Sequence, residues 1–144
     1  MRLLAALLLL PLPAAAWEAY TDGLVCVLAH DTETSRTEVT HDPRRALPYA
    51  IDITLIGTTW TEGDTFAIRF EGPRDLTIST DRHQLSTDQS SLSVADTGFG
   101  NVLNGLEFND TARALLAGQS VAIPLTNAAP AVRRFRGCAE RIGA

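Results

Sequence analysis

The chain has 144 residues, room for one domain with a sizeable core, and a formal net charge of -5, with all 12 of its basic residues arginine. The absence of lysine excludes Schiff-base and lysine general-base chemistry and the P-loop of nucleotide-binding proteins. A net acidic surface disfavours nucleic acid and anionic lipid as nonspecific partners, because both attract basic proteins.

Met1-Arg2 gives the chain a positive start, and Leu3 to Leu12 is an apolar run broken only by Pro11. Pro13-Ala14-Ala15-Ala16 supplies the small residues that a signal peptidase accepts, so residues 1–16 read as a signal peptide cleaved after Ala16. The run is shorter than the roughly 20 residues needed to cross a bilayer, and no later apolar stretch is longer. The expected product is a periplasmic or secreted domain, residues 17–144, with no transmembrane segment.

Leu24 to His30 is an apolar stretch holding Cys26, one of only two cysteines; the other, Cys138, lies near the far end. In an oxidising compartment an even pair is expected as a disulfide, here closing nearly the whole mature chain into one loop. A redox-active pair would need the close C-x-x-C spacing, which is absent.

Asp31 to His41 is polar and rich in threonine, which suggests a hairpin turning near Ser35-Arg36. That turn would set His30 opposite His41. Tyr49 to Gly57 alternates, with Ile51, Ile53 and Leu55 on one face, and Thr58 to Trp60 could extend it. Phe66, Ile68 and Phe70 repeat the pattern, Leu76 to Thr80 follows the turn at Gly72-Pro73, and Leu92 to Val94 continues the scheme. Short strands separated by Gly, Pro and Asp turns point to an antiparallel β-sandwich or partly open barrel.

Gly98 to Phe108 carries three glycines without the spacing of a dinucleotide fingerprint and reads as a turn or bulge. Asn104-Gly105 also suits a type I′ hairpin. As a ligand-facing loop it would present Phe99, Asn101 and Asn104. Asn109 or Asp110 resembles an N-cap for a short helix over Thr111 to Leu116, stopped by Gly118. Ser120 to Leu125 returns as a strand, with Pro124 marking an edge or strand end. Pro130 to Arg136 forms a second short helix that delivers Cys138 to the sheet. The fold expected is therefore mainly β, with two short helices in the C-terminal half and one disulfide.

Trp17 near the mature start, the early strand cysteine Cys26, a short helix, Gly118, an apolar strand and a terminal helix resemble the invasion-associated locus B family of small exported alphaproteobacterial proteins. The likeness is one of layout over about half of the mature chain, and the additional internal cysteines common in that family are absent. Leu76 to Thr80 and Gly98 to Leu106 more closely resemble small exported proteins of the same bacteria. The resemblance implies a periplasmic β-rich domain with no established enzymatic site.

No catalytic signature emerges from the residues themselves. His30 and His41, paired across a hairpin, could share a metal only if a third ligand such as Glu33 or His83 came from elsewhere. His83 beside Asp81 has no G-x-S-x-G partner to make it a hydrolase histidine. Arg133, Arg134 and Arg136 form a basic cluster on the last helix that could meet an anionic partner or simply be solvated. The function expected is noncatalytic binding, to a protein or envelope component, with no cofactor. Two alternatives stand beside it: a metal-binding protein or hydrolase centred on His30, His41 and His83, and an inhibitor of a partner enzyme acting through a protruding Gly98–Gly105 loop.

Overall fold

The computed structural model describes residues 16–142. The expected signal peptide lies outside the described residues except for Ala16. In chain order the elements are β1 (Glu18–Asp22), β2 (Val25–Asp31), β3 (Ser35–His41), β4 (Tyr49–Leu55), β5 (Phe66–Glu71), β6 (Leu76–Thr80), β7 (Gln84–Leu85) and β8 (Ser91–Asp96). They are followed by α1 (Gly100–Phe108), β9 (Thr111–Leu116), β10 (Gln119–Pro124) and α2 (Ala128–Ile142).

Two antiparallel sheets result, one of six strands in the order β1-β2-β3-β4-β8-β7 and one of four in the order β10-β9-β5-β6. They form an open sandwich rather than a closed barrel, and each keeps two edges. The alternation of Ile51, Ile53 and Leu55 in β4 and of Phe66, Ile68 and Phe70 in β5 sends both triplets into one shared core. β2 is buried from Cys26 to His30, with Cys26 and Leu28 in the shared core.

Two tryptophans stitch the sheets together. Trp17 donates Nε1–H to the Pro124 carbonyl at 2.9 Å and so ties the start of β1 to the end of β10. Trp60, in the crossing between β4 and β5, is 1% exposed, donates to the Ile53 carbonyl at 3.0 Å and meets Phe66 edge-on. Each indole thus buries a large apolar surface while its N–H stays satisfied.

Helix α2 covers β1 and β2, inserting Val132 and Phe135 into the core, and Cys138 bonds to Cys26 with a Cα–Cα distance of 6.0 Å. The disulfide expected from the sequence is present, and it joins residues 112 positions apart.

Four local expectations are corrected. The β2–β3 turn falls at Thr32 to Thr34, where Thr32 Oγ1 accepts the Ser35 and Thr34 amides, rather than at Ser35-Arg36. Gly98 to Phe108 is largely helix, not a turn or hairpin, and Thr111 to Leu116 is strand, not helix. Thr58 to Trp60 does not extend β4, which ends at Leu55. The two helices do lie in the C-terminal half, but the first precedes its expected place and the second is longer, with 15 residues.

Candidate functional site

On the side where Trp17 ties β1 to β10 and α2 packs over β1 and β2, the gap between the sheets is covered. Across the molecule, where β8 faces β6, it stays open, and a cleft of about 470 Å³ enters between the sheets. Ile51 and Val94, neighbours on β4 and β8, form one wall; Ile68 and Ile78, neighbours on β5 and β6, form the other. Phe66 lies at the base, and the start of α1 supplies Phe99 and Val102. Their inward orientation follows from the period-two pattern of each strand, so one sheet face provides the residues of each wall.

Phe99 is 5% exposed and stacks on Tyr49 at 5.6 Å, which fixes this wall against the six-stranded sheet. Gly98 and Gly100 border open space, so the chain entering α1 leaves the mouth unobstructed. Charge appears only at the rim. Arg82 Nη2 stands 3.4 Å from Asp96 Oδ2, with side chains 67% and 41% exposed. A pair so long and so solvated contributes little stability and exchanges partners readily. The first turn of α1 carries neither an acidic residue nor a side-chain cap, so its free amides add a partial positive charge to the same rim. Apolar walls with polar groups confined to the entrance, within the roughly 300–1,000 Å³ typical of small-molecule sites, are the features of a ligand pocket.

The residues singled out from sequence separate accordingly. Phe99 and Asn101 line the cleft. Asn104 does not; its Oδ1 accepts a hydrogen bond from Arg136 Nη2 at 2.7 Å, joining α1 to α2. The Gly98–Gly105 segment does not protrude, because Val102, Leu103 and Gly105 are buried against the core. Gly98, Gly100, Asn101 and Asn104 are the exposed positions of the segment.

The three histidines do not converge. His30 pairs with Thr37 and His41 with Cys26, which puts the imidazoles at opposite ends of the β2–β3 pair, about 13 Å apart at roughly 3.3 Å per residue. His30 stacks on Trp17 at 4.9 Å and His41 leans on Tyr49 at 4.6 Å. His83 places Nε2 2.9 Å from the Gly63 carbonyl. Among the described residues no group of three or more His, Cys, Asp or Glu side chains is placed to hold a metal ion. The histidines act as aromatic packing groups, and the cross-strand metal pair fails because the hairpin turns earlier than expected.

The cleft itself was missed from sequence. Ile51, Ile68, Ile78 and Val94 are each legible as inward-facing strand residues, but which strands oppose one another depends on a sheet order that alternation does not encode. No protein-family model, curated protein or solved structure matches this chain.

Proposed function

We propose that this is an exported, noncatalytic binding domain of the periplasm or cell envelope, akin to the small exported alphaproteobacterial proteins it resembles, and that it holds a small apolar molecule with one acidic end in the cleft between its sheets. The observation that carries this reading is the cleft: apolar walls from both sheets, with Arg82 alone among the lining side chains as a full positive charge at the mouth. The Cys26–Cys138 disulfide is compatible with export, since such bonds persist in oxidising compartments.

Magnitudes assign the roles. Each methylene taken out of water contributes about 0.8 kcal/mol, whereas an exposed ion pair contributes at most about 1 kcal/mol. The apolar body therefore sets affinity, and Arg82 sets orientation by exchanging Asp96 for the ligand's acid. Calorimetric titration with dodecanoate, octanoate and dodecanol tests this. Shortening the chain should weaken binding more than removing the carboxylate does. Arg82→Glu should weaken dodecanoate while leaving dodecanol unchanged, and Val94→Arg should abolish both. Equal affinity for all three probes, or none for any, would contradict the reading.

A further inference from the structure

On the side of the molecule where α2 packs over β1 and β2, a second groove of about 640 Å³ runs between β1 and the outer flank of α2. Arg133, Arg134 and Arg141 line it, and so do Ala19, Thr21 and Gly137. Small residues open the groove: the Arg141 guanidinium lies over Gly137, where an added Cβ would stand 3.4 Å from Nη1.

Positive charge without a carboxylate partner is gathered on this surface. Arg36, Arg44, Arg82, Arg113 and Arg136 each have a carboxylate within salt-bridge distance. Among the described residues Arg45, Arg69, Arg74, Arg133, Arg134 and Arg141 have none, and the last three lie together on α2. A chain of formal net charge -5 thus gathers along α2 three cations that have no carboxylate partner among the described residues, spanning eight residues, or about 12 Å. Glu18 and Asp22 sit at the two ends of β1, and Glu140 lies beside Arg141 on α2, but none of them lines the groove.

The other wall is a sheet edge. β1 begins the six-stranded sheet and pairs only with β2, so alternate backbone amides and carbonyls along Glu18–Asp22 face outward. An edge strand beside a basic helix fits one type of occupant, an extended acidic peptide. Its backbone would continue the sheet antiparallel or parallel to β1, and its acidic side chains would reach the arginines of α2. A second copy of this chain fits poorly, because a symmetric β1–β1 pairing would bring the arginines of one copy towards those of the other. The Cys26–Cys138 bond anchors α2 to β2, next to β1, and fixes the width of the groove before anything binds.

We infer that the groove between β1 and Arg133, Arg134 and Arg141 is a docking site for an extended acidic peptide of a partner protein, distinct from the inter-sheet cleft. Fluorescence anisotropy with the oxidised protein tests it, using a short labelled peptide of alternating glutamate and valine and its glutamine counterpart. The glutamate peptide should bind, weaken with salt, and protect β1 amides from hydrogen exchange. The combined charge reversal R133E/R134E/R141E, at three exposed positions, should weaken it about tenfold, the product of three exposed ion pairs. Equal binding of the glutamine peptide, absence of binding, or unprotected β1 amides would overturn the inference. Binding to phosphatidylglycerol vesicles without binding to the peptide would also overturn it, assigning the arginines to a lipid surface instead.

Discussion

Asn109 shows how one side chain can hold two segments together. Its Oδ1 accepts the Arg74 amide at 2.9 Å, and its Nδ2 donates to the carbonyls of Arg74 at 2.9 Å and Gly105 at 3.1 Å. It therefore closes the C-terminal turn of α1 and clamps it to the β5–β6 turn. The sequence suggested the opposite, an N-cap, because asparagine is favoured there and neither role is visible without knowing which way the helix runs. Asn109 is 7% exposed, so removing its amide leaves buried backbone groups without partners. Asn109→Ala should cost roughly 2–3 kcal/mol, measured by urea denaturation, and Gly105 and Arg74 should show the largest amide shifts. A cost within experimental error would mean that water replaces the side chain.

Among the elements, the misassigned pair α1 and β9 is the most instructive. Ala, Arg and Leu in Thr111–Leu116 have good helix propensity, which made a helix plausible. Ala112, Ala114 and Leu116 are nevertheless buried in alternation while Thr111, Arg113 and Leu115 are half-exposed, the period of a strand. Long-range pairing decides the outcome: β9 is flanked on both sides, by β5 and β10, and the ladder outweighs propensities of a few tenths of a kcal/mol per residue. The turn that joins β9 to β10 was present in the sequence as Ala117-Gly118. Both residues have positive φ, 49° and 79°, and Leu116 pairs with Gln119, as in a two-residue type I′ hairpin. A glycine here equally suits a helix stop, a position that favours the same left-handed conformation. A Cβ at Gly118 would meet nothing within 4 Å, so the cost of Gly118→Ala is purely conformational. It should be about 1–2 kcal/mol in thermal or chemical denaturation. For α1 the misleading signal was glycine content. Gly105 belongs in the helix because a side chain there would run into the Phe70 ring, and that contact is not legible from local sequence.

At the scale of the whole molecule, β2 to β6, β8 and β10, their inward faces and the disulfide were legible because each rests on local alternation or on a simple count, whereas β1, β7 and β9 were not legible as strands. Sheet order was not legible either, and the cleft, the groove and the separation of the histidines all depend on it. The disulfide closes a loop of 112 residues, for which chain entropy suggests about 4.7 kcal/mol. Reduction should therefore lower stability by about 2–5 kcal/mol, seen as a shift in the denaturation midpoint between oxidised and reduced protein. Because α2 forms one wall of the basic groove, reduction should also weaken the acidic peptide. The inter-sheet cleft lies across the molecule and should keep its ligand as long as the chain stays folded. The most direct test of the central claim is a methyl NMR titration of the folded, oxidised protein with dodecanoate. Ile51, Ile68, Ile78, Val94 and Val102 should shift together along one saturable curve while Val25 and Val27, on β2, stay fixed; shifts scattered over the surface, or confined to residues outside the cleft, would contradict it.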